Sequence, residues 1–213
     1  FTSDVKEPNA WGGIICGYNS EETVLSHVHI GYAGATPTES SLSFQNKLYK
    51  TTIDGGVPAF HFCNINGRFA IANSFFHDNY SDHIYTTGGN GVVYNNVFAD
   101  NGNIKAGCLM DVAYNVVYNA CTNAFKLSNQ GTSESVPLSK VNVYNNTMID
   151  CGWRRARNKK GGSVWIERSI QATVVNNLLY DCRYGMKNSS KDGADMNNSR
   201  LTPNYYYAST AKG

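Results

Sequence analysis

The segment from Phe75 to His83 concentrates groups that could transfer protons, because it holds two histidines and two aspartates: His77, Asp78, Asp82 and His83. Histidine is the natural general base near neutral pH, and a neighbouring carboxylate can fix its tautomer. Alternate residues of a strand face opposite ways, so His77 and Asp78 are not expected to face outward together, whereas Asp82 or His83 can. One hypothesis therefore makes His83 catalytic. In the other, the aspartates cap bends and His77 is packed.

A second candidate for chemistry is the segment from Trp153 to Gly162, which holds five cations and a tryptophan in ten residues. An arginine fork binds carboxylate or sulfate through two hydrogen bonds, and a tryptophan can stack on a sugar ring. A solvated surface loop is the alternative interpretation. The predicted substrate-binding residues of this segment are Trp153, Arg154, Arg157, Lys159 and Lys160.

A repeated element must position these residues. The repeat consists of an apolar residue, one further residue and an Asn that is usually followed by a second Asn, with Asn or Cys six positions after the first Asn. The five copies have their first asparagine at Asn73, Asn95, Asn115, Asn145 and Asn176, and their later residue at Asn79, Asn101, Cys121, Cys151 and Cys182. Such self-similarity at a spacing of 20 to 31 residues is the signature of a solenoid.

Apolar residues alternate on both sides of the Asn pair, which predicts two short strands with one buried face, joined by a tight bend. Stacking would place the first Asn of each copy about 4.8 Å from the next, where amides can bond along an inward-facing ladder. Cys121, Cys151 and Cys182 would then form part of a second column. We favour buried, reduced thiols there, although the spacing also permits a disulfide between adjacent rungs.

The repeat also predicts which residues are neighbours on the outside. Ten positions after the first Asn lie His83, Lys105 and Arg155, which are expected on one outer line and are the predicted catalytic residues. Tyr94 and Tyr144 precede the repeat's Asn on the outer parity and are predicted to contact sugar. An aromatic stripe of this kind can equally stabilise a sheet through cross-strand stacking.

These residues resemble the right-handed parallel β-helix proteins of the pectate-lyase-like superfamily, in which an Asn column and three-strand rungs with variable loops are hallmarks. Residues 1–4, 11–17 and 28–35 are in addition similar to surface β-helix lipoproteins of Bacteroidetes. The first resemblance implies a substrate cleft on the strand face that follows the Asn/Cys column. It also implies that an Arg or Lys could abstract the C5 proton of a uronate, often with calcium. Asp150 and Asp181 are candidate calcium ligands, although the acidic residues are scattered.

Composition narrows the function class. Charged residues make up 16% of 213 residues and the net charge is +2, so the basic density of a nucleic-acid-binding protein is absent. We expect one all-β domain over 1–213, with the clearest repeats at 60–190 and a cap or tail at 191–213. No signal peptide, lipobox or apolar run of membrane length is present, and the chain reads as a mature or partial segment of a longer precursor.

The sequence thus predicts an extracellular or outer-membrane surface protein that binds a polysaccharide or surface glycan. Peripheral or lipid-anchored membrane association through a further segment, and membership of a surface protein complex, are also expected from the resemblance. The alternative is a polysaccharide lyase or glycoside hydrolase that acts on an anionic polysaccharide. No paired-carboxylate motif of a hydrolase can be singled out, because the required separation is not fixed by the sequence.

Overall fold

The computed structural model describes residues 1–48, 56–129, 139–154, 161–168, 170–188 and 195–209. Arg155, Arg157, Lys159 and Lys160 lie outside these ranges. In the described part, almost all regular structure is β, and the one helix, α1 (Leu42–Gln45), has a single turn.

The strands form three parallel sheets. Sheet 1 consists of β1 (Ile14–Cys16), β4 (Phe60–Phe62), β7 (Ile84–Thr86), β10 (Ile104–Ala106), β13 (Asn123–Ser128), β16 (Gly162–Glu167) and β19 (Met186–Asn188). Sheet 2 consists of β2 (Glu22–Ser26), β5 (Arg68–Ala72), β8 (Asn90–Tyr94), β11 (Leu109–Ala113), β14 (Ser139–Tyr144) and β17 (Ile170–Val175). Sheet 3 consists of β3 (His29–Gly31), β6 (Phe75–His77), β9 (Val97–Asn101), β12 (Val116–Ala120), β15 (Thr147–Ile149), β18 (Leu178–Tyr180) and β20 (Tyr205–Tyr207).

Successive strands visit sheets 1, 2 and 3 in turn, and each strand pairs in parallel with its counterpart one rung away. The predicted parallel β-helix with three strands per rung is therefore confirmed. The stack of rungs extends beyond residues 60–190 in both directions along the sequence. Strands β1 to β3 come before this range, and β20, which comes after it, pairs with β18.

The core lies between the three sheets and is built from stacked columns of one inward residue per strand. Phe60, Ile84, Ile104, Phe125 and Val164 form such a column in sheet 1, and each is no more than 1% exposed. Full burial of a side chain of this size stabilises the fold by about 1.5–3 kcal/mol. No single rung could enclose such a column, so stacking and folding depend on each other.

The asparagine ladder is confirmed: Asn115 is a member as predicted, and in the other four copies the member lies one position later than predicted. The buried column contains Ser74, Asn96, Asn115, Asn146, Asn177 and Asn204. Each Oδ1 accepts the backbone N–H of the preceding member at 2.9–3.0 Å, and each Nδ2 from Asn96 to Asn177 donates to the next Oδ1 at 2.9–3.0 Å. We call this bend, between sheets 2 and 3, the ladder corner.

The residue before each ladder member from Ser74 to Asn177 turns the chain with a left-handed backbone, and His27, before Val28, does the same in the first rung. This outer column contains His27, Asn73, Asn95, Tyr114, Asn145 and Asn176, with φ between 51° and 57°. The prediction aligned Asn115 with Asn95, whereas the register aligns Tyr114 with Asn95 and Asn145. The prediction failed there because a left-handed bend accepts tyrosine, at a cost, while the buried ladder position requires an amide.

A second corner, between sheets 3 and 1, repeats the same backbone bend. Its left-handed residues are Tyr32, Asp78, Asp100, Asn119, Asp150 and Asp181, and the residues after them are Ala33, Asn79, Asn101, Ala120, Cys151 and Cys182. We call it the thiol corner. Cys151 and Cys182 are buried free thiols, as predicted, but the placement of Cys121 in this column is wrong because Ala120 pairs with Asn101.

Candidate functional site

The outer face of sheet 1 presents one side chain per strand in an unbroken line. From the first rung to the last, this sheet 1 row consists of Ile15, His61, Tyr85, Lys105, Lys126, Trp165 and Lys187. Each residue points away from the core because it alternates with inward residues such as Ile84 and Ile104. Neighbours in the row are separated by about 4.8 Å, so cations and rings are in direct contact.

The lysines of the row lie over its aromatic rings. Lys105 Nζ is 5.0 Å from the centroid of Tyr85, and Lys126 Nζ and Lys187 Nζ lie 5.0 Å and 4.1 Å from that of Trp165. Each contact is short enough for a cation–π attraction of about 0.5–2 kcal/mol. Trp165 is thus held between two ammonium groups, and its ring orientation is fixed by them.

Two of these lysines also form ion pairs with well-buried carboxylates. Lys105 Nζ is 2.8 Å from Asp82 Oδ2, and Lys126 Nζ is 2.9 Å from Glu167 Oε1. Both carboxylate side chains are 6% exposed. Asn103 donates to Asp82 at 2.7 Å and the Ser128 hydroxyl donates to Glu167 at 3.1 Å, so these anions are held rigidly.

The indole nitrogen of Trp165 is an unused donor. It is buried and, within the described residues, has no hydrogen-bond acceptor. Buried polar groups are nearly always hydrogen-bonded, and an indole N–H without an acceptor costs about 1–3 kcal/mol.

The first half of the row contains its one buried residue, His61. His61 is 1% exposed, and burial lowers its pKa to about 3, so its imidazole is neutral. Its ring meets Tyr85 edge-on at 5.0 Å, and burial, assisted by Asp82, raises the pKa of the Tyr85 phenol to about 12. The accessible part of the row therefore runs from Lys105 to Lys187, and the side chains of Lys105 and Lys126 are 23% and 22% exposed.

The predicted outer line is wrong in register for His83 and Lys105, and its third member, Arg155, lies outside the described residues. Lys105 pairs with Tyr85, and His83 is 1% exposed inside the thiol corner, where Asn79 Nδ2 lies 3.0 Å from its Nδ1. Burial lowers the pKa of His83 to about 3. Lys105 is the one predicted catalytic residue that the described structure places on the row, and its catalytic role stays a prediction.

The predicted substrate-binding residues that the structure describes are Trp153, Arg154, Tyr94 and Tyr144, and the two tyrosines lie on a different sheet from the other two residues' contacts. Trp153 and Arg154 lie beyond the thiol corner, where Trp153 Nε1 donates to the Asp181 carbonyl at 2.5 Å and Arg154 to the Asn119 carbonyl at 2.7 Å. Tyr94 and Tyr144 end strands of sheet 2, two rungs apart with Ala113 between them. The sequence pattern singled out Asp82, but not its ion pair with Lys105, and it did not point to Trp165 or Glu167. The sequence pattern that could have identified Trp165 as an outer residue is the alternation in β16, where Trp165 lies between the inward residues Val164 and Ile166.

A second polar cluster lies on the outer face of sheet 3. His77 Nδ1 is 2.7 Å from Asp78 Oδ2, and His77 Nε2 contacts Nε2 of His29 on the neighbouring strand. Burial, followed by the proximity of His77, lowers the pKa of His29. The expectation that His77 and Asp78 face apart is wrong, because the left-handed backbone of Asp78 (φ 48°) ends the strand alternation.

Among the described residues, no group of three or more His, Cys, Asp or Glu side chains converges on a common point. Asp150 and Asp181 occupy left-handed positions in successive rungs of the thiol corner, and Asp181 accepts hydrogen bonds from the Ser209 N–H at 2.5 Å and the Ser209 hydroxyl at 2.6 Å. Calcium binding at these residues stays a prediction.

The described helical structure includes nothing long and apolar enough to span a bilayer. No family model matches the chain, and no curated protein or solved structure is significantly similar to it. Function must therefore be inferred from the geometry of these residues.

Proposed function

We propose that this protein is an extracellular or cell-surface β-helix protein that binds carbohydrate, with the accessible half of the sheet 1 row as its glycan-binding surface. The observation that carries the proposal is Trp165, a partly exposed ring held between the ammonium groups of Lys126 and Lys187. The exposed part of this ring can pack against the apolar face of a sugar ring. The flanking ammonium groups can contact its carboxylate or sulfate oxygens.

The ion pairs of the row favour binding of an extended polymer. Asp82 and Glu167 hold Lys105 and Lys126 at fixed positions, so little side-chain entropy is lost when a ligand binds. The lysines succeed one another at a regular rung spacing of about 4.8 Å. A linear glycan that lies along the helix axis could therefore contact several rungs at once.

The cellular setting is part of the same proposal. The resemblance to pectate-lyase-like β-helices and to Bacteroidetes surface lipoproteins favours an outer-membrane or extracellular location, a lipid-anchored or peripheral association, and partners within a surface complex. Fractionation of cells that express the full-length protein, with protease added to intact cells, tests this placement. Protection from the protease in intact cells but not in lysed cells would reject surface exposure.

The binding proposal is tested with a glycan array of neutral, uronate-containing and sulfated polysaccharides, followed by titration of the best ligand. Trp165→Ala should weaken binding about 30-fold or more, as removal of an aromatic hot spot does. Trp165→Phe keeps an aromatic ring but a smaller one, so its effect should be intermediate. Lys187→Gln should weaken binding of anionic glycans more than that of neutral ones.

Lys140→Gln is the matched control, because Lys140 is an exposed lysine on sheet 2, away from the row. The Lys140→Gln variant should bind the glycan with the same affinity as the unaltered protein. If Trp165→Ala binds as tightly as Lys140→Gln while both are folded, the sheet 1 row is not the binding surface.

Catalysis on the same surface is a second candidate, favoured by the position of Lys105 on the accessible row beside Tyr85. A lyase would generate an unsaturated uronate that absorbs in the near ultraviolet. Such a product, formed by the unaltered protein and absent with a folded Lys105→Gln variant, would make the protein an enzyme. Binding without any product, with and without calcium, would leave it a binding protein.

A further inference from the structure

A pair of histidines on sheet 3 lies apart from the sheet 1 row. His29 belongs to β3 and His77 to β6, and these neighbouring strands pair so that His29 lies opposite Phe75 and Gly31 lies opposite His77. The two imidazoles are therefore diagonal neighbours, with ring centroids 4.6 Å apart and ring planes inclined by 40°. Their Nε2 atoms are in direct contact.

Gly31 provides the space in which the rings meet. A Cβ atom at this position would lie 2.7 Å from Nε2 and 2.8 Å from Cε1 of His77. Any side chain there would displace the His77 ring. Phe75 stacks on both imidazoles, with centroids 5.4 Å from His29 and 4.7 Å from His77, and so confines them from a third side.

Asp78 orients His77. Its Oδ2 lies 2.7 Å from Nδ1 of His77, an arrangement that favours the tautomer in which Nδ1–H donates to the carboxylate and the Nε2 lone pair is directed at His29. A histidine that binds a metal ion commonly donates its other ring N–H to a carboxylate in this way, which fixes the tautomer and raises ligand basicity.

We propose that His29 and His77 bind a divalent transition-metal ion between their Nε2 atoms, with Asp78 orienting His77 and water completing the coordination. Two imidazole nitrogens suit Zn²⁺, Cu²⁺ or Ni²⁺ better than Ca²⁺ or Mg²⁺, which prefer oxygen ligands. With metal–nitrogen distances of about 2.0–2.1 Å and tetrahedral angles, the two Nε2 atoms would be about 3.3 Å apart. A small rotation of His29, which is exposed, achieves this separation.

Zn²⁺ is the probe, titrated by calorimetry into metal-stripped full-length protein, while the imidazole ¹⁵N resonances are followed by NMR. The Nε2 signals of His29 and His77 should shift together. Asp78→Asn should weaken Zn²⁺ binding about 10–100-fold, as loss of an orienting carboxylate does. His29→Gln and His77→Gln should each weaken it more.

The matched control is His27→Gln, because His27 is an exposed histidine two residues from His29 whose ring bonds to Ser26. Zn²⁺ affinity should be unchanged in this variant, and also in Cys121→Ser, which removes a half-buried thiol. The proposal is overturned if excess Zn²⁺ shifts neither His29 nor His77, or if Zn²⁺ binding survives in folded His29→Gln and His77→Gln variants. A shift confined to His27 would overturn it as well.

Discussion

The ladder corner and the thiol corner use one backbone device with opposite side chains. In both, a left-handed residue turns the chain and the next side chain points into the core. The ladder corner fills these positions with amides that bond to one another, whereas the thiol corner holds Ala33, Asn79, Ala120, Cys151 and Cys182. Backbone geometry therefore decides where an inward residue sits, and does not by itself decide whether it is polar.

The two corners also differ in the length of their connections. At the ladder corner, the strands of sheets 2 and 3 are separated by only two residues in every rung, as between Tyr144 and Thr147. At the thiol corner, the connection to sheet 1 varies from two residues after Asn101, through twelve between Ile149 and Gly162, to twenty-eight between Gly31 and Phe60. A bonded ladder keeps one corner constant, and the variable connections lead into the sheet that carries the Lys and Trp row.

The largest difference between the corners should appear in Asn146→Ala. This side chain is 1% exposed, donates to the Val112 carbonyl at 2.9 Å, and accepts the Asn115 N–H at 2.9 Å. Its removal leaves several buried groups unpaired, each costing about 1–3 kcal/mol. We expect the free energy of unfolding in urea to fall by about 4 kcal/mol.

The control for this prediction is the preceding residue. Asn145→Ala removes an outer side chain at a left-handed position (φ 56°), so it should cost only about 1–2 kcal/mol. Equal losses for the two variants would mean that the ladder contributes no more than the bend.

Acid should weaken the thiol corner and spare the ladder, because amides do not titrate. The folded pKa of His83 is about 3, below the unfolded value of about 6.5, so the unfolded state binds more protons below pH 6.5. Stability is fully present above that pH and falls as pH decreases towards 3, by about 1.4 kcal/mol per pH unit. Between pH 7 and pH 5, His83 alone should cost about 2 kcal/mol.

Urea unfolding at pH 7 and pH 5 measures this loss, and His61, with the same folded pKa, adds a similar amount. In His83→Gln, the difference between the two pH values should shrink by about half. In His27→Gln, which removes an exposed histidine, it should not change. An undiminished pH dependence in His83→Gln would contradict the assignment of acid sensitivity to this corner.

Cys151→Ala should have a smaller effect than Asn146→Ala. The thiol is 0% exposed and makes weak hydrogen bonds to carbonyls at 3.3–3.6 Å, so its loss leaves a cavity the size of one sulfur and no unpaired amide. A cost of about 1 kcal/mol is expected in urea unfolding. A cost as large as that of Asn146→Ala would remove the energetic distinction between the corners.

The smallest expected effect concerns thiol reactivity. Cys121 is half-buried and outside the column, while a hydrogen bond with Cys182 and burial hold the pKa of Cys151 well above its usual value. An alkylating reagent at neutral pH should modify Cys121 well before Cys151, without unfolding the protein. Peptide mapping by mass spectrometry identifies the labelled thiol, and Cys121→Ser should lack this labelling. Faster labelling of Cys151 than of Cys121 would show that the thiols of the thiol corner are accessible to the reagent.

The solenoid could be predicted because its repeat appears in the residue types themselves. The errors in the predicted register arose where the same residue type occupies two different structural positions. Asn115 was matched to Asn95 by identity, although Tyr114 occupies that bend. This one-residue slip also moved Cys121 into the buried column in place of Ala120.

The candidate site was harder to predict because it depends on the register after the thiol corner, where connection lengths vary. Counting placed His83 beside Lys105, although Tyr85 is the partner and His83 points into the core. The ion pairs of Asp82 and Glu167 join residues 23 and 41 positions from their lysines (105 − 82; 167 − 126). The diagonal contact of His29 with His77 depends on the absence of a side chain at Gly31, which no spacing rule reveals.

The ladder also gives the molecule a mechanical direction. The hydrogen bonds between strands and those between ladder amides all link one rung to the next, so they lie along the helix axis. Tension along this axis would load non-covalent bonds of every sheet and of the ladder together, whereas tension around a rung is carried by the covalent backbone. The rod should therefore resist stretching across its width far better than the separation of its rungs.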